Sequence, residues 1–139
     1  MSMNDETCRT STVLLTLLQH SRVSFERLAE RYSLTFPQLM LLYQLYKANS
    51  LMGTVAKKMH CDASNITGIV DRLESQGYIE RVALPKDRRA KELHITEQGT
   101  ELIEKILADM PSQLNITSLS SFEQEELRTI VHKLTLSTS

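Results

Sequence analysis

At 139 residues, 41% of them hydrophobic and with only four glycines and three prolines, the chain has the size and apolar content of one folded domain, not of a disordered segment. It lacks Trp and has only 5% aromatic residues, a Leu-rich composition that favours helices over a β-sandwich. A net charge of −1 excludes little, but no apolar run approaches the roughly 20 residues that span a bilayer, residues 1–9 carry no signal-peptide core, and two cysteines are too few for a disulfide framework, so the expectation is a soluble, cytoplasmic chain with no membrane partner.

The first predicted element is a long helix over residues 10–32. Leu14, Leu18, Phe25, Leu28, Ala29 and Tyr32 recur on it at helical spacing, and Val13 and Leu17 form a second apolar flank. A helix that is apolar on two sides needs two packing partners, and in a chain this small the second is expected to be another subunit. Thr35 reads as an N-cap with Pro37 in the first turn. A strongly apolar helix follows over 39–48, and Asn49 and Ser50 break it. Residues 52–60 read as a short helix with Val55, Ala56 and Met59 inward and Lys57 and Lys58 outward.

Asp62 is an N-cap before the stripe Ile66, Ile69, Val70 and Leu73, and Gly77 supplies the stop, which predicts a helix over 63–76. The period then changes. Residues 78–83 and 90–95 read as two strands of a hairpin around an exposed, charged turn at 84–89. Thr96 caps a helix running to about Met110, where Pro111 intervenes. A final helix over Ser121–Leu136 is capped by Ser120 or Ser121 with Glu123 or Gln124 three residues on. The fold class is therefore mainly α with a small β-hairpin, in the order α-α-α-α-β-β-α-α. Two closely spaced short helices followed by a hairpin form the winged helix-turn-helix arrangement.

Charge distribution adds to this. Residues 52–95 hold eight Lys/Arg against six Asp/Glu, whereas residues 96–139 hold three against seven. A basic middle and an acidic end suit a DNA-contacting lobe with separate work for the last helices. In a helix-turn-helix the second helix enters the major groove. Removing the inward stripe from 63–76 leaves Ser64, Asn65, Thr67, Gly68, Asp71 and Arg72 outside. Asn suits adenine, Arg suits guanine, and Ser or Thr suits a base edge or a phosphate. Gly68 costs a helix roughly 1 kcal/mol relative to Ala, which close approach of a groove wall would justify. The hairpin tip contributes Lys86, Asp87, Arg88 and Arg89; an Arg gains in a narrow minor groove, and Asp87 has a place there if it orients a neighbouring Arg.

The segments Asp62-Ala-Ser-Asn-Ile-Thr-Gly-Ile-Val-Asp-Arg-Leu-Glu-Ser-Gln-Gly-Tyr-Ile-Glu-Arg, Pro85-Lys-Asp-Arg-Arg-Ala and Leu93-His-Ile-Thr-Glu-Gln-Gly99 closely resemble the MarR family of bacterial transcriptional regulators. The pattern is S-x-x-T-x-x-V-D-R-L-E-x-x-G-h-h-x-R, then D-x-R, then h-x-L-T-x-x-G, with h apolar and His94-Ile95 standing for the usual apolar-Leu. The resemblance implies a single domain over 1–139, with a DNA-binding lobe at 35–98 and dimerisation helices at 10–32 and 100–137. It implies a homodimeric repressor on double-stranded DNA, straddling a pseudo-palindromic operator. By the same resemblance Ser64, Asn65, Thr67, Gly68 and Arg72 lie on the recognition helix, Arg89 is the wing arginine of the minor groove, and Asp87 is its supporting acid. Release by a small aromatic or phenolic effector is also implied, and Tyr32, Phe36, Tyr43 and Tyr46 are the candidates to line its cleft.

Other readings carry less. Cys8 and Cys61 invite a redox role, and His60, Cys61 and Asp62 with His20, His94 or His132 invite a metal site, but no H-x-x-x-H or C-x-x-C pair anchors one. Neither metal nor cofactor is expected. No G-x-S-x-G, P-loop or glycine-rich dinucleotide turn points to an enzyme. A winged helix used only for protein contact is the remaining alternative, which the basic wing disfavours.

Overall fold

The computed structural model describes residues 5–60 and 63–136, with side chains at 63 and 64 excepted. Helix α1 (Glu6–Arg31) starts earlier than its apolar stripe, because Asp5 accepts from the Thr7 backbone N–H and caps it. It ends in a Schellman turn: Ser33 takes a left-handed conformation, and the Leu34 N–H donates to the Ala29 carbonyl at 2.9 Å. Helix α2 (Phe36–Lys47) opens with a full capping box, the Thr35 N–H donating to Gln38 Oε1 and the Gln38 N–H to Thr35 Oγ1. Strand β1 (Ser50–Leu51), helix α3 (Met52–Lys58) and helix α4 (Ala63–Ser75) follow. The expected cap at Asp62, like Cys61, lies outside the described residues.

Strands β2 (Ile79–Leu84) and β3 (Asp87–Ile95) form the hairpin, and β1 pairs with the far edge of β3, giving the order β1-β3-β2. The α-α-α-α-β-β-α-α order thus gains a strand that the sequence reading took as a break. Two residues are too few to show an alternating pattern; β1 exists because β3 offers an open ladder to Ser50 and Leu51. Gly77 joins α4 to β2 at φ +83°, where a side chain would be strained. Gly99 is required for a different reason, since an added Cβ there would collide with the Tyr78 carbonyl oxygen.

Helix α5 (Glu97–Gln113) is capped by Thr96 and does not stop before Pro111 as expected. The proline sits in the last turn, where its missing N–H and ring disturb little helix, and the Leu114 N–H still reaches the Met110 carbonyl at 3.0 Å. The actual stop is Asn115 at φ +58°, ahead of a 3₁₀ turn (Ile116–Ser118). Helix α6 (Ser121–Leu136) begins with a reciprocal Ser120–Glu123 box, which selects Ser120 and Glu123 from the expected alternatives.

The core lies where α2, α3, α4, β2, β3 and the adjoining halves of α1 and α5 meet. Leu28, Leu41, Leu42, Val55, Val70, Leu73, Leu93, Ile103 and Ile106 are fully buried in it. Only the second half of α1 joins this core. Leu14 and Leu18, which share the helical spacing of Phe25, Leu28 and Ala29, are exposed along with Val13, Leu15 and Leu17. No residue of α6 is buried. Among the described residues no helix is long and apolar enough to cross a membrane.

Candidate nucleic-acid interface

Helix α4 divides as its periodicity requires. Ile66, Val70 and Leu73 are buried and Ile69 is half-buried, so Asn65, Thr67, Gly68, Asp71 and Arg72 are exposed together on the other side. The side chain of Ser64 lies outside the described set. An added Cβ at Gly68 would meet nothing within 4 Å. The protein's own packing therefore gives no reason for the glycine. Thr35 and Gln38 at the start of α2 face Asn65, Gly68, Ile69 and Arg72 across a shallow notch of about 290 Å³.

The hairpin tip is tighter than expected. Leu84 pairs with Asp87, so the turn is Pro85-Lys86 and not the whole of 84–89. Ala83 pairs with Lys91, so Arg88, Arg89 and Ala90 are extra residues on β3. Such a bulge re-aims side chains, and both arginines of this one are exposed. Asp87 Oδ1 accepts from the Arg89 backbone N–H at 3.0 Å. The acid thus supports the bulge through the main chain, where a contact with the guanidinium was expected. Arg89 and Lys91 of β3 and Lys57 of α3 also line an open groove of about 490 Å³ with residues 51–54. Lys57 and Lys91 were not among the expected site residues.

Asp71 is not free on the exposed face of α4. Its Oδ1 lies 2.5 Å from Arg81 Nη2 on β2, while Arg81 Nη1 lies 2.6 Å from Glu74 Oε1. The Arg81 backbone N–H also donates to Glu74 Oε2 at 3.3 Å. The hydrogen bond to Asp71, with both carboxylates nearby, holds the guanidinium above its ordinary pKa. Arg81 closes the quoted helix motif, yet the sequence reading gave it no role; its ten-residue spacing from Asp71 was the available signal.

The four aromatic residues proposed for an effector cleft separate. Phe36 and Tyr43 line a cleft of about 430 Å³ between α1, α2 and α5, together with Phe25, Leu39, Met40, Ile103, Leu107 and Met110. Tyr32 and Tyr46 are absent from that lining and engage α5 instead. The Tyr46 hydroxyl bonds Glu104 at 3.3 Å, and the Tyr32 hydroxyl bonds Asp109 at 3.2 Å. Burial first, and the Asp109 bond second, raise the Tyr32 phenol above its ordinary value.

Residues 34–91 match the MarR family model. The chain is 30% identical over 98 residues to the HTH-type transcriptional regulator YsmB of Bacillus subtilis (strain 168), covering 70% of this chain and 66% of the relative. It is 33% identical over 104 residues to the HTH-type transcriptional repressor MdtR of the same organism, covering 74% and 66%. These matches span just under two thirds of the relatives' length. A crystal structure of MarR is similar at a TM-score of 0.80 and 25% identity, covering 99% of this chain and 94% of that one.

Proposed function

The chain belongs to the MarR family, and from that premise we propose that it is a sequence-specific DNA-binding transcriptional regulator acting as a homodimeric repressor. The observation that carries this reading is the exposed polar face of α4 beside a wing whose bulge carries Arg88 and Arg89. Asn65, Thr67, Gly68 and Arg72 are assigned to base edges and nearby phosphates, and Arg89 to the minor groove. Lys86 and Arg88 are assigned to the backbone as screened cationic contacts. The lobe is residues 35–98, and the exposed apolar faces of α1 and α6, within 10–32 and 100–137, support pairing with a second copy. Two-fold pairing implies half-sites about one helical turn apart on a pseudo-palindromic operator.

The cleft supports regulation by a small effector and narrows its chemistry. Its lining holds no charged side chain and one hydroxyl, that of Tyr43. An ionised carboxylate would lose its water there without a counter-charge. A neutral phenol or another uncharged aromatic fits better. Such a ligand releases DNA only if it binds the DNA-incompetent spacing of the two lobes more tightly.

The test is titration of the purified protein against the DNA upstream of its own gene, over a range of salt and with random competitor. Tight, competitor-resistant, salt-dependent binding is expected. Weak binding that competitor abolishes would reject that DNA as the operator and favour a winged helix that serves a protein partner.

A further inference from the structure

Asp71 places a carboxylate on the face of α4 assigned to DNA, where a negative charge opposes a polyanion. It is 59% exposed, one residue before Arg72, and pairs with Arg81. Arg81 comes from β2, where it pairs across the sheet with the fully buried Leu93. Its side chain is only 25% exposed, and the guanidinium meets Asp71 and Glu74 with separate nitrogens. Its backbone N–H adds a third bond to the same helix. Planar, two-sided engagement of this kind suits Arg and not Lys.

We propose that Arg81 is a positioning residue for DNA recognition: it neutralises Asp71, so that α4 meets phosphate without a free acid. The inference rests on the DNA-binding reading of α4. Arg81 itself does not touch the nucleic acid. An uncovered Asp71 would act on affinity by repelling phosphate. Neutralising Asp71 should therefore compensate for loss of Arg81, although no ion pair is restored.

The experiment compares wild type, Arg81→Met, Asp71→Asn and the double variant. The probe is the duplex that the wild-type protein enriches from a random-sequence pool, and affinity is read by anisotropy over a salt series. Arg81→Met is expected to bind about tenfold more weakly, the scale of a pair of like charges near a protein surface. Asp71→Asn should bind within about twofold of wild type, and the double variant should recover most of the loss. The salt slope should be the same for wild type and Arg81→Met. Three results overturn the proposal: Asp71→Asn as weak as Arg81→Met, no recovery in the double variant, or a slope lower by about one phosphate contact, which would put Arg81 on DNA directly. Asp71→Asn alone carries the test if thermal unfolding shows that Arg81→Met does not fold: a tenfold loss overturns the proposal and near-wild-type binding supports it. If wild type enriches no duplex, the DNA reading fails and the proposal falls with it. A wild type that binds while the variants break the pattern removes the role of Arg81 alone.

Discussion

The Arg31 guanidinium, in the last turn of α1, lies 2.8 Å from the Asp109 carboxylate of α5, 78 residues further along the chain. The Tyr32 hydroxyl reaches the same Asp109 oxygen at 3.2 Å. Asp109 therefore ties the end of the long first helix to the helix that leads out of the wing. Both links sit beside Met110, which lines the apolar cleft. Asp109→Ala is expected to cost about 1 kcal/mol, since the ion pair is solvated and the phenol bond is only partly buried. Chemical denaturation of the two proteins at equal protein concentration measures this.

The Tyr32 phenol, raised first by burial and second by its bond to Asp109, gives this region a pH signature. A group whose folded pKa is raised stabilises the fold fully below its unfolded value, which for a phenol is about 10. That contribution is lost as pH rises from there through the Tyr32 value. Wild type should therefore lose stability more steeply than Tyr32→Phe in the alkaline range and in parallel with it near neutrality. Parallel melting curves throughout would deny that the Tyr32 phenol is raised in the folded chain.

The sequence displayed α4, its buried stripe and its exposed face because a 3.6-residue period and a glycine stop are local signals. It displayed the acidic residue and the two arginines of the wing for the same reason. Three features depended on pairings between elements that only the folded chain makes. Strand β1 is made by pairing with β3. The Arg81 clamp needs α4 and β2 to be brought together. The cleft draws on α1, α2 and α5, so Phe25, Ile103, Leu107 and Met110 were indistinguishable from ordinary core in the pattern of apolar residues. Leu14 and Leu18 show the converse. Their spacing marked an apolar face correctly, but could not tell whether that face meets this chain's own core.

Gly68 separates stability from function. With open space around it, Gly68→Ala should stabilise the helix by about 0.5–1 kcal/mol, because Ala has the higher helix propensity. The same methyl stands on the surface assigned to the groove, so DNA affinity should fall. A higher melting temperature together with weaker binding is the expected pair of results. A variant that is more stable and binds DNA equally well would remove Gly68 from the contact surface.

The bulge of β3 makes Arg89 and Asp87 separable. Arg89→Ala should lower DNA affinity strongly, by about tenfold or more, and reduce the salt slope by about one contact. Asp87→Ala removes a bond to the Arg89 backbone and leaves the cation in place, so it should weaken binding less and leave the slope unchanged. Neither change lies on α1 or α6, so sedimentation should find the same oligomer in both. Equal affinity for wild type and Arg89→Ala would take the wing out of the mechanism.

The cleft predicts a choice among effectors. Neutral p-cresol should lower the affinity for DNA, and benzoate should not, because the lining offers an anion no cation. Met110→Trp should fill the space and abolish the response to p-cresol while DNA binding without effector persists. A response to benzoate that survives Met110→Trp would place the effector elsewhere.

The two helices at the chain's ends set the last expectation. On α1, Leu18 is 62% exposed; on α6, Phe122 is 70% exposed and Ile130 is 53% exposed. Large apolar side chains left this open on two helices are unusual for a monomer. Burying one Leu or Ile gains about 1.5–3 kcal/mol, and two-fold symmetry counts each substitution twice. Leu18→Lys and Ile130→Lys should therefore each weaken a dimer by roughly a hundredfold or more. Both positions lie outside the core, so circular dichroism should still report a helical chain. Sedimentation equilibrium should find a dimer for wild type and monomers for the variants at the same low-micromolar loading. The monomers should also lose tight binding to a two-half-site duplex, while keeping the weak, salt-sensitive affinity of a single lobe. A wild-type chain that sediments as a monomer would leave these faces without their proposed partner, and with them the two-fold reading of the operator.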